Sequence, residues 1–104
     1  MTSAVGRMIK TKPVVMFGKK YCPYAKRAND LLTFLAVDFN VFYLEDLDDE
    51  SNIKRVLNTI SKSYTTPVIF IKGKCVGGAD DLIDLHSSGQ LYALLQKAKA
   101  FKNL

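Results

Sequence analysis

Apolar and polar residues follow two different spacings along this chain, and the changes between them predict the order of helices and strands. Short runs rich in β-branched and aromatic residues predict strands, since such side chains favour extended backbone. These runs span residues 13–17, 39–45, 68–71 and 75–76. After the first run, apolar residues recur at i, i+3, i+4 and i+7, which is the spacing of a helix with one buried face.

The helical spacing occurs at several places between the predicted strands. The clearest repeats are Ala28, Leu31, Leu32 and Leu35, followed by Ile53, Val56, Leu57 and Ile60. Shorter apolar sets are Val5, Met8 and Ile9; Leu82, Ile83 and Leu85; and Leu91, Leu94, Leu95 and Ala98. Acidic residues in 46–50 precede the third helix, where negative charge complements the helix dipole. The predicted order is α-β-α-β-α-β-β-α-α.

This order predicts an α/β fold. A right-handed β-α-β crossover makes the first two strands parallel. The segment Lys72-Gly73-Lys74 has the length and composition of a hairpin connection, which makes the last two strands antiparallel. We therefore expect a small mixed four-stranded sheet flanked by helices.

The length and the apolar content fit one compact domain. The chain has 104 residues, 48% of them apolar, and we expect a single domain over 1–104. Its apolar runs are far shorter than the roughly 18 residues that cross a bilayer, and residues 1–13 lack the apolar stretch of a secretory signal. We expect a soluble, cytoplasmic protein without a membrane partner. The basic residues Arg7, Lys10 and Lys12 keep organelle import as a less favoured alternative.

The net charge of +5 does not by itself predict a nucleic-acid partner. The lysines are spread along the sequence and do not alternate with aromatic residues, so we expect a solvated basic surface and no nucleic-acid binding. Two cysteines are too few for a disulfide framework. His86 has no cysteine or paired acid at metal-ligand spacing, so no metal site is predicted.

Cys22 is the leading candidate for a reactive group. It lies between the first predicted strand and the next helix, in the sequence Lys19-Lys20-Tyr21-Cys22-Pro23-Tyr24-Ala25-Lys26-Arg27. A thiolate is the nucleophilic form of cysteine, and helix N–H groups and nearby cations stabilise it. Lys19 is the favoured cation here, whereas Lys26 and Arg27 are also explained as solvent-facing helix residues.

Three short motifs, combined with the predicted order of elements, resemble the glutaredoxin family of the thioredoxin fold. The motifs are Cys22-Pro23-Tyr24, Thr65-Thr66-Pro67 and Gly77-Gly78-Ala79-Asp80-Asp81. The resemblance covers almost the whole chain. Many glutaredoxins have a second cysteine where this chain has Ala25, so the internal disulfide of those relatives cannot form here.

The resemblance implies that glutathione, an anionic tripeptide, is the co-substrate. Lys19 and Lys54 would face its glycine carboxylate, and the backbone of Thr66 would pair with its cysteinyl group. Pro67 would follow a cis peptide bond, and Tyr24 would border the site. Lys54 and Tyr24 have the alternative of an ordinary place on a helix surface.

The segment after the double glycine would bind the other end of the tripeptide. Gly77 and Gly78 would permit close backbone approach, and N–H groups at the helix N-terminus that follows would bind the γ-glutamyl carboxylate. Asp80 or Asp81 would meet the ligand's ammonium group, and the family's pattern implies contacts through the backbone of Asp80 and the side chain of Asp81. Ala79 would contribute backbone contacts. An ordinary helix N-cap is the alternative for Asp80.

The activity implied by the resemblance is reduction of protein–glutathione mixed disulfides through Cys22 alone, in a monomer whose partners are glutathione and glutathionylated proteins. The alternative is an iron–sulfur cluster carrier in which two chains and two glutathiones share a cluster, although Pro23 removes an N–H that could support a cluster sulfur. A thioredoxin-fold interaction module without turnover is a third hypothesis. Cys75 is interpreted as a structural or idle thiol, with an intermolecular disulfide or regulatory glutathionylation left open.

Overall fold

The computed structural model describes residues 4–63 and 65–102, so positions 1–3, 64 and 103–104 of the predicted domain lie outside the described residues. The predicted order of helices and strands is confirmed. The elements are α1 (Ala4–Met8), β1 (Val14–Gly18), α2 (Pro23–Phe34), β2 (Phe39–Tyr43), α3 (Glu50–Ser61), β3 (Val68–Ile71), β4 (Lys74–Gly77), α4 (Ala79–Ser87) and α5 (Gln90–Lys97). A short 3-10 helix, Leu44–Asp46, joins β2 to α3.

The four strands form one mixed sheet in the order β2-β1-β3-β4, which confirms the predicted fold class. β1 runs parallel to β2 and antiparallel to β3, and β3 runs antiparallel to β4. Three strands differ from the prediction at their ends. β1 starts at Val14 instead of residue 13, and β4 is longer at both ends, Lys74–Gly77 instead of residues 75–76. β1 includes Gly18, because this residue still pairs with Tyr43 of β2, and β2 ends at Tyr43, because the chain then turns to bury Leu44.

Alternating residues of β1 face two separate cores, one on each side of the sheet. Val14 and Met16 pack with Leu32 of α2, Leu82 of α4 and Leu91 of α5. Val15 and Phe17 face the opposite way, into a second core with these buried residues: Val5 of α1, Ile53 and Leu57 of α3, Leu44, Val68 and Phe70. The alternation follows from the two-residue period of a strand. None of the described helices is long and apolar enough to cross a membrane.

Strand register brings the three sequence motifs to one end of the sheet. Cys22 follows the carboxyl end of β1, where Phe17 pairs with Val68. Pro67 directly precedes Val68, and Gly77 at the end of β4 pairs with Ile69. Segments far apart in the sequence therefore meet where β1 ends and β3 begins.

Candidate active site

Cys22 occupies the N-cap of α2. Its backbone is extended, with φ −92° and ψ 121°, and its side chain is half-buried. The amide of Lys26 donates to the Cys22 carbonyl over 3.0 Å, which closes the first turn of the helix. Pro23 fits the first helical position because its missing N–H would have no partner there. The thiol therefore lies beside the partly positive end of the helix.

Ala25 lies one turn further along α2 and is buried, with 4% of its surface exposed. It packs where the end of β1 comes closest to the helix. A Cβ built on Gly18 would be 3.3 Å from the Cβ of Ala25 and 3.8 Å from the Cβ of Pro67. Position 25 thus carries a buried methyl group close to the backbone of Gly18 and supplies no second thiol.

Lys19 and Cys22 line one depression of about 650 Å³, together with the rings of Tyr21 and Tyr43. Lys19 is exposed, and none of the carboxylates in the described part of the chain forms an ion pair with it. Lys26 differs, because its Nζ lies 2.9 Å from Asp30. Among these neighbours, Lys19 is thus the cation best able to act on a bound anion.

Lys20, two residues before Cys22, forms two hydrogen bonds with the 3-10 helix. The amide of Lys20 donates to Glu45 over 2.9 Å, and its Nζ donates to Asp46 over 2.7 Å. The hydrogen bond to Asp46 and the negative charge of that carboxylate raise the pKa of Lys20 above its ordinary value. Tyr21 follows in the left-handed region, with φ 62°, and its side chain is fully exposed beside Cys22.

Tyr24 lies on the other side of the first turn of α2. Half of its side chain is exposed, and the guanidinium of Arg27 stands 5.5 Å from the centre of its ring. A cation at this distance from an aromatic face is attracted by it. Arg27 therefore packs on Tyr24, and both residues stay on the surface of the helix.

Most of the predicted glutathione contacts line a second depression of about 390 Å³, which we call the groove. They are Tyr24, Thr66, Pro67, Gly78, Ala79, Asp80 and Asp81. The Thr66-Pro67 bond is cis, as predicted. A Cβ built on Gly78 would be 3.4 Å from the carbonyl oxygen of Pro67, so the segments before β3 and after β4 approach closely. Thr66 and the start of α4 therefore line the same groove.

Asp81 is held at the start of α4 by the double glycine. Its Oδ2 accepts a hydrogen bond of 2.9 Å from the amide of Gly78, the N-cap residue. The carboxylate occupies space that a side chain at Gly77 would need, since a Cβ there would be 2.7 Å from the Asp81 Cγ. Gly77 also has φ +112°, which disfavours any other residue.

The N-cap prediction for Asp80 needs a correction. Gly78 takes the N-cap, so Asp80 lies in the first turn of α4 with an exposed side chain. Ala79 is buried, and only its backbone can serve a ligand in the groove. Two carboxylates and the N–H groups of a helix start therefore stand side by side here, a combination suited to an ammonium and a carboxylate on one ligand.

Lys54 lies outside both depressions at the end of the sheet. It is half-buried on α3 and lines a shallow surface with Ser51, Arg55 and Asn58. Its predicted contact with glutathione stays a prediction. The groove also contains Thr65 of the Thr65-Thr66-Pro67 motif, together with Ser61 and Ser63, which the sequence analysis did not single out. The signal for the two serines was their place in the polar segment directly before that motif.

Cys75 and His86 stand apart from this site. Cys75 is half-buried on β4, opposite Phe70, and packs against the core that contains Val15 and Phe17. His86 is exposed near the end of α4. Across the described ranges, no three His, Cys, Asp or Glu side chains are grouped so as to hold a metal ion.

Comparison with known proteins gives consistent matches. Residues 14–76 match the family model described as Glutaredoxin. The chain is 38% identical over 93 residues to Glutaredoxin-C4, chloroplastic, of Oryza sativa subsp. japonica, covering 89% of this chain and 70% of that protein. It is 37% identical over 93 residues to Glutaredoxin-C1 of Arabidopsis thaliana, covering 89% and 74%. Among solved structures it is similar to a buckwheat glutaredoxin–glutathione complex, with a TM-score of 0.88, 29% identity, and 92% and 87% of the two chains covered.

Proposed function

This chain belongs to the glutaredoxin family, and we propose from that premise that it reduces protein–glutathione mixed disulfides by a monothiol mechanism. Membership makes the chain a glutathione-related thiol oxidoreductase. The surroundings of Cys22 support the more specific proposal, a monothiol mechanism. The half-buried Cys22 caps α2 and lines the depression that contains Lys19, and Tyr24 in the same first helical turn lines the groove. The buried methyl group of Ala25 takes the position of a resolving thiol.

In the first step the Cys22 thiolate attacks the glutathione sulfur of the mixed disulfide. A new S–S bond joins Cys22 to glutathione as the old bond breaks, and the substrate protein leaves as a thiolate that takes a proton from water. The helix N-terminus stabilises the attacking anion. Lys19 adds positive charge on the exposed side of the thiol.

In the second step a glutathione thiolate attacks the sulfur of the glutathione bound to Cys22. Oxidised glutathione leaves, and the Cys22 thiolate is restored. The net reaction consumes one glutathione thiol from solution. Its sulfur and the sulfur of the glutathione released from the mixed disulfide end as oxidised glutathione, and the substrate protein regains its thiol. Ala25 has no sulfur that could attack the Cys22 adduct, so reduction of protein disulfides by a dithiol route is expected to be weak.

The groove is suited to hold the glutathione half of the mixed disulfide. The backbone of Thr66 offers a donor and an acceptor for the cysteinyl peptide group in a strand-like contact. The start of α4 offers N–H groups to the γ-glutamyl carboxylate, and Asp80 and Asp81 offer acceptors to the ammonium. Lys19 would meet the glycine carboxylate. The structure of the similar buckwheat glutaredoxin in complex with glutathione supports glutathione as the ligand.

Two cysteine variants test the proposal. Cys22→Ser is expected to abolish deglutathionylation of a glutathionylated test protein, because the alcohol does not replace a thiolate nucleophile. Cys75→Ser is expected to retain most of the activity, since Cys75 packs against a core away from the groove. Turnover by Cys22→Ser at the wild-type rate would exclude the proposal, and so would loss of activity in Cys75→Ser alone.

The proposal includes a monomer in the cytoplasm acting on glutathionylated proteins. The iron–sulfur carrier stays an alternative prediction, against which Pro23 counts because it offers no N–H beside the thiol. Anaerobic reconstitution with iron and sulfide separates the two. A colourless, monomeric protein is expected, whereas a coloured dimer that requires Cys22 and glutathione would favour the carrier.

A further inference from the structure

Acidic and basic residues are unevenly distributed along this chain. All ten Asp and Glu residues lie in 30–50 and 80–84, so the stretches 1–29, 51–79 and 85–104 contain none. Lysines occur in each of these acid-free stretches. Their arrangement in space, which the sequence does not show, depends on which ends of these stretches the fold brings together.

The fold brings three lysine-bearing segments to the end of the sheet opposite Cys22. Val14 at the start of β1 pairs with Ile71 at the end of β3, so residues 10–13 lie beside the hairpin at 72–73. The amide of Lys72 donates to the Pro13 carbonyl over 2.7 Å. Residues 98–100 reach the same end, since Ala98 lies beside Pro13 and the Ala100 carbonyl accepts from Asp38. We call this surface the basic end, defined by Lys10, Lys12, Lys72 and Lys99.

A depression of about 560 Å³ opens at the basic end. Half-buried Ile9, Pro13 and Ala98 give it an apolar part, and Lys10, Lys12 and Lys72 surround that part with charge. Lys12 is paired with Asp38 over 3.1 Å. Lys10 and Lys72 are exposed and have no ion pair with any carboxylate in the ranges that the structure covers. Two unpaired ammonium groups therefore flank one apolar hollow.

We propose that this depression binds an acidic segment of a partner protein in which an apolar side chain lies between carboxylates. The apolar side chain would fill the hollow, and the carboxylates would meet Lys10 and Lys72. The shape of the depression favours a peptide over a bilayer. A projecting side chain can enter the depression, whereas the flat surface of a bilayer cannot. No aromatic residue lines it, so its lining offers no surface on which nucleic-acid bases could stack.

The position of the depression indicates what such binding would achieve. It lies at the amino end of β1, whereas Cys22 follows the carboxyl end of the same strand. A partner held there would leave the thiol and the groove open. The site would therefore tether the protein to an acidic partner without blocking its chemistry, and it does not depend on the function proposed above.

Fluorescence anisotropy with a short labelled peptide, glutamates around one central leucine, tests this assignment on the full chain. We expect saturable binding at low salt that is lost near 1 M salt, where the screening length falls to about 3 Å. Lys10→Gln combined with Lys72→Gln should weaken binding about tenfold, as expected for loss of two surface charge pairs. Lys10→Arg with Lys72→Arg, which keeps both charges, should bind within about twofold of wild type. Replacing the leucine by serine should also weaken binding.

The matched control combines Arg55→Gln with Lys62→Gln. It removes the same charge from another surface, and Lys62, like Lys72, has a positive φ. The control should bind the peptide as wild type does. The assignment is overturned if the control weakens binding as much as the basic-end variant, or if the peptide does not bind. It is also overturned if vesicles of phosphatidylserine or a single-stranded oligonucleotide bind the basic end more tightly than the peptide.

Discussion

Replacement of Gly77 by alanine should damage stability and glutathione binding together, through one displaced carboxylate. Gly77 has φ +112°, a conformation that costs a residue with a Cβ about 1–3 kcal/mol. The new Cβ would also lie 2.7 Å from the Asp81 Cγ, so the carboxylate must leave its place. Its hydrogen bond to the Gly78 amide would break. That bond is exposed and contributes about 1 kcal/mol. The expected total loss is about 2–4 kcal/mol.

Gly89→Ala provides the matched control. Gly89 also has a positive φ, +81°, but a Cβ there would meet nothing within 4 Å. This variant should lose only the backbone cost, about 1–3 kcal/mol. Urea denaturation measures the loss of unfolding free energy in both variants. The difference between the two losses is the cost of displacing the Asp81 carboxylate. In thermal unfolding a gap of about 1 kcal/mol corresponds to about 4–8 °C for a chain of this size.

The same pair of variants separates a site effect from a general loss of stability. Below the unfolding transition, Gly77→Ala should raise the KM for glutathione, because Asp81 no longer stands at the start of α4. Gly89→Ala should leave the KM unchanged. Equal losses of stability in the two variants would refute the reasoning, and so would an unchanged KM in Gly77→Ala.

Three further predictions concern the residues around the thiol. Ala25→Cys should add reduction of protein disulfides, measured with an insulin assay, while deglutathionylation continues; no gain would show that the missing thiol does not limit this reaction. Lys19→Gln should raise the KM for glutathione about fivefold with little change in kcat, as expected for one lost charge contact of about 1 kcal/mol; a fall in kcat alone would contradict a binding role. Asp46→Asn should lower the urea midpoint at neutral pH, because the raised pKa of Lys20 means that their pair stabilises the fold while Lys20 is protonated. This difference should persist from neutral pH up to 10.5, the ordinary pKa of lysine, and shrink as pH rises further through the raised value; a difference that stays constant over this range would refute it.

The order of the helices and strands could be predicted from the sequence because the spacing of apolar residues differs between the two kinds of element. The four-point apolar stripes of α2 and α3 and the β-branched run of β3 leave little choice of element type. The ends of β1 and β2 were less certain. Gly18 continues β1 through its pairing with Tyr43, and burial of Leu44 starts the 3-10 helix. Both depend on contacts between segments, which local patterns do not contain.

The meeting of the three motifs could also be predicted, because the topology places the ends of β1 and β4 and the start of β3 together. Individual side chains were harder to place. Lys54 is one residue after the buried Ile53, and its position outside the groove depends on the direction in which α3 leaves the sheet. The lysines of the basic end are spread along the sequence. Only the pairing of Val14 with Ile71 brings Lys10 and Lys72 to one surface.

The central claim is that Cys22 alone exchanges sulfur with glutathione. Brief exposure of the protein to oxidised glutathione, followed by mass analysis of its peptides, tests this claim most directly. The account predicts the added mass of one glutathione on the peptide containing Cys22, no adduct on the peptide containing Cys75, and release of the adduct by reduced glutathione. An adduct on Cys75 alone, or none on Cys22, would contradict it.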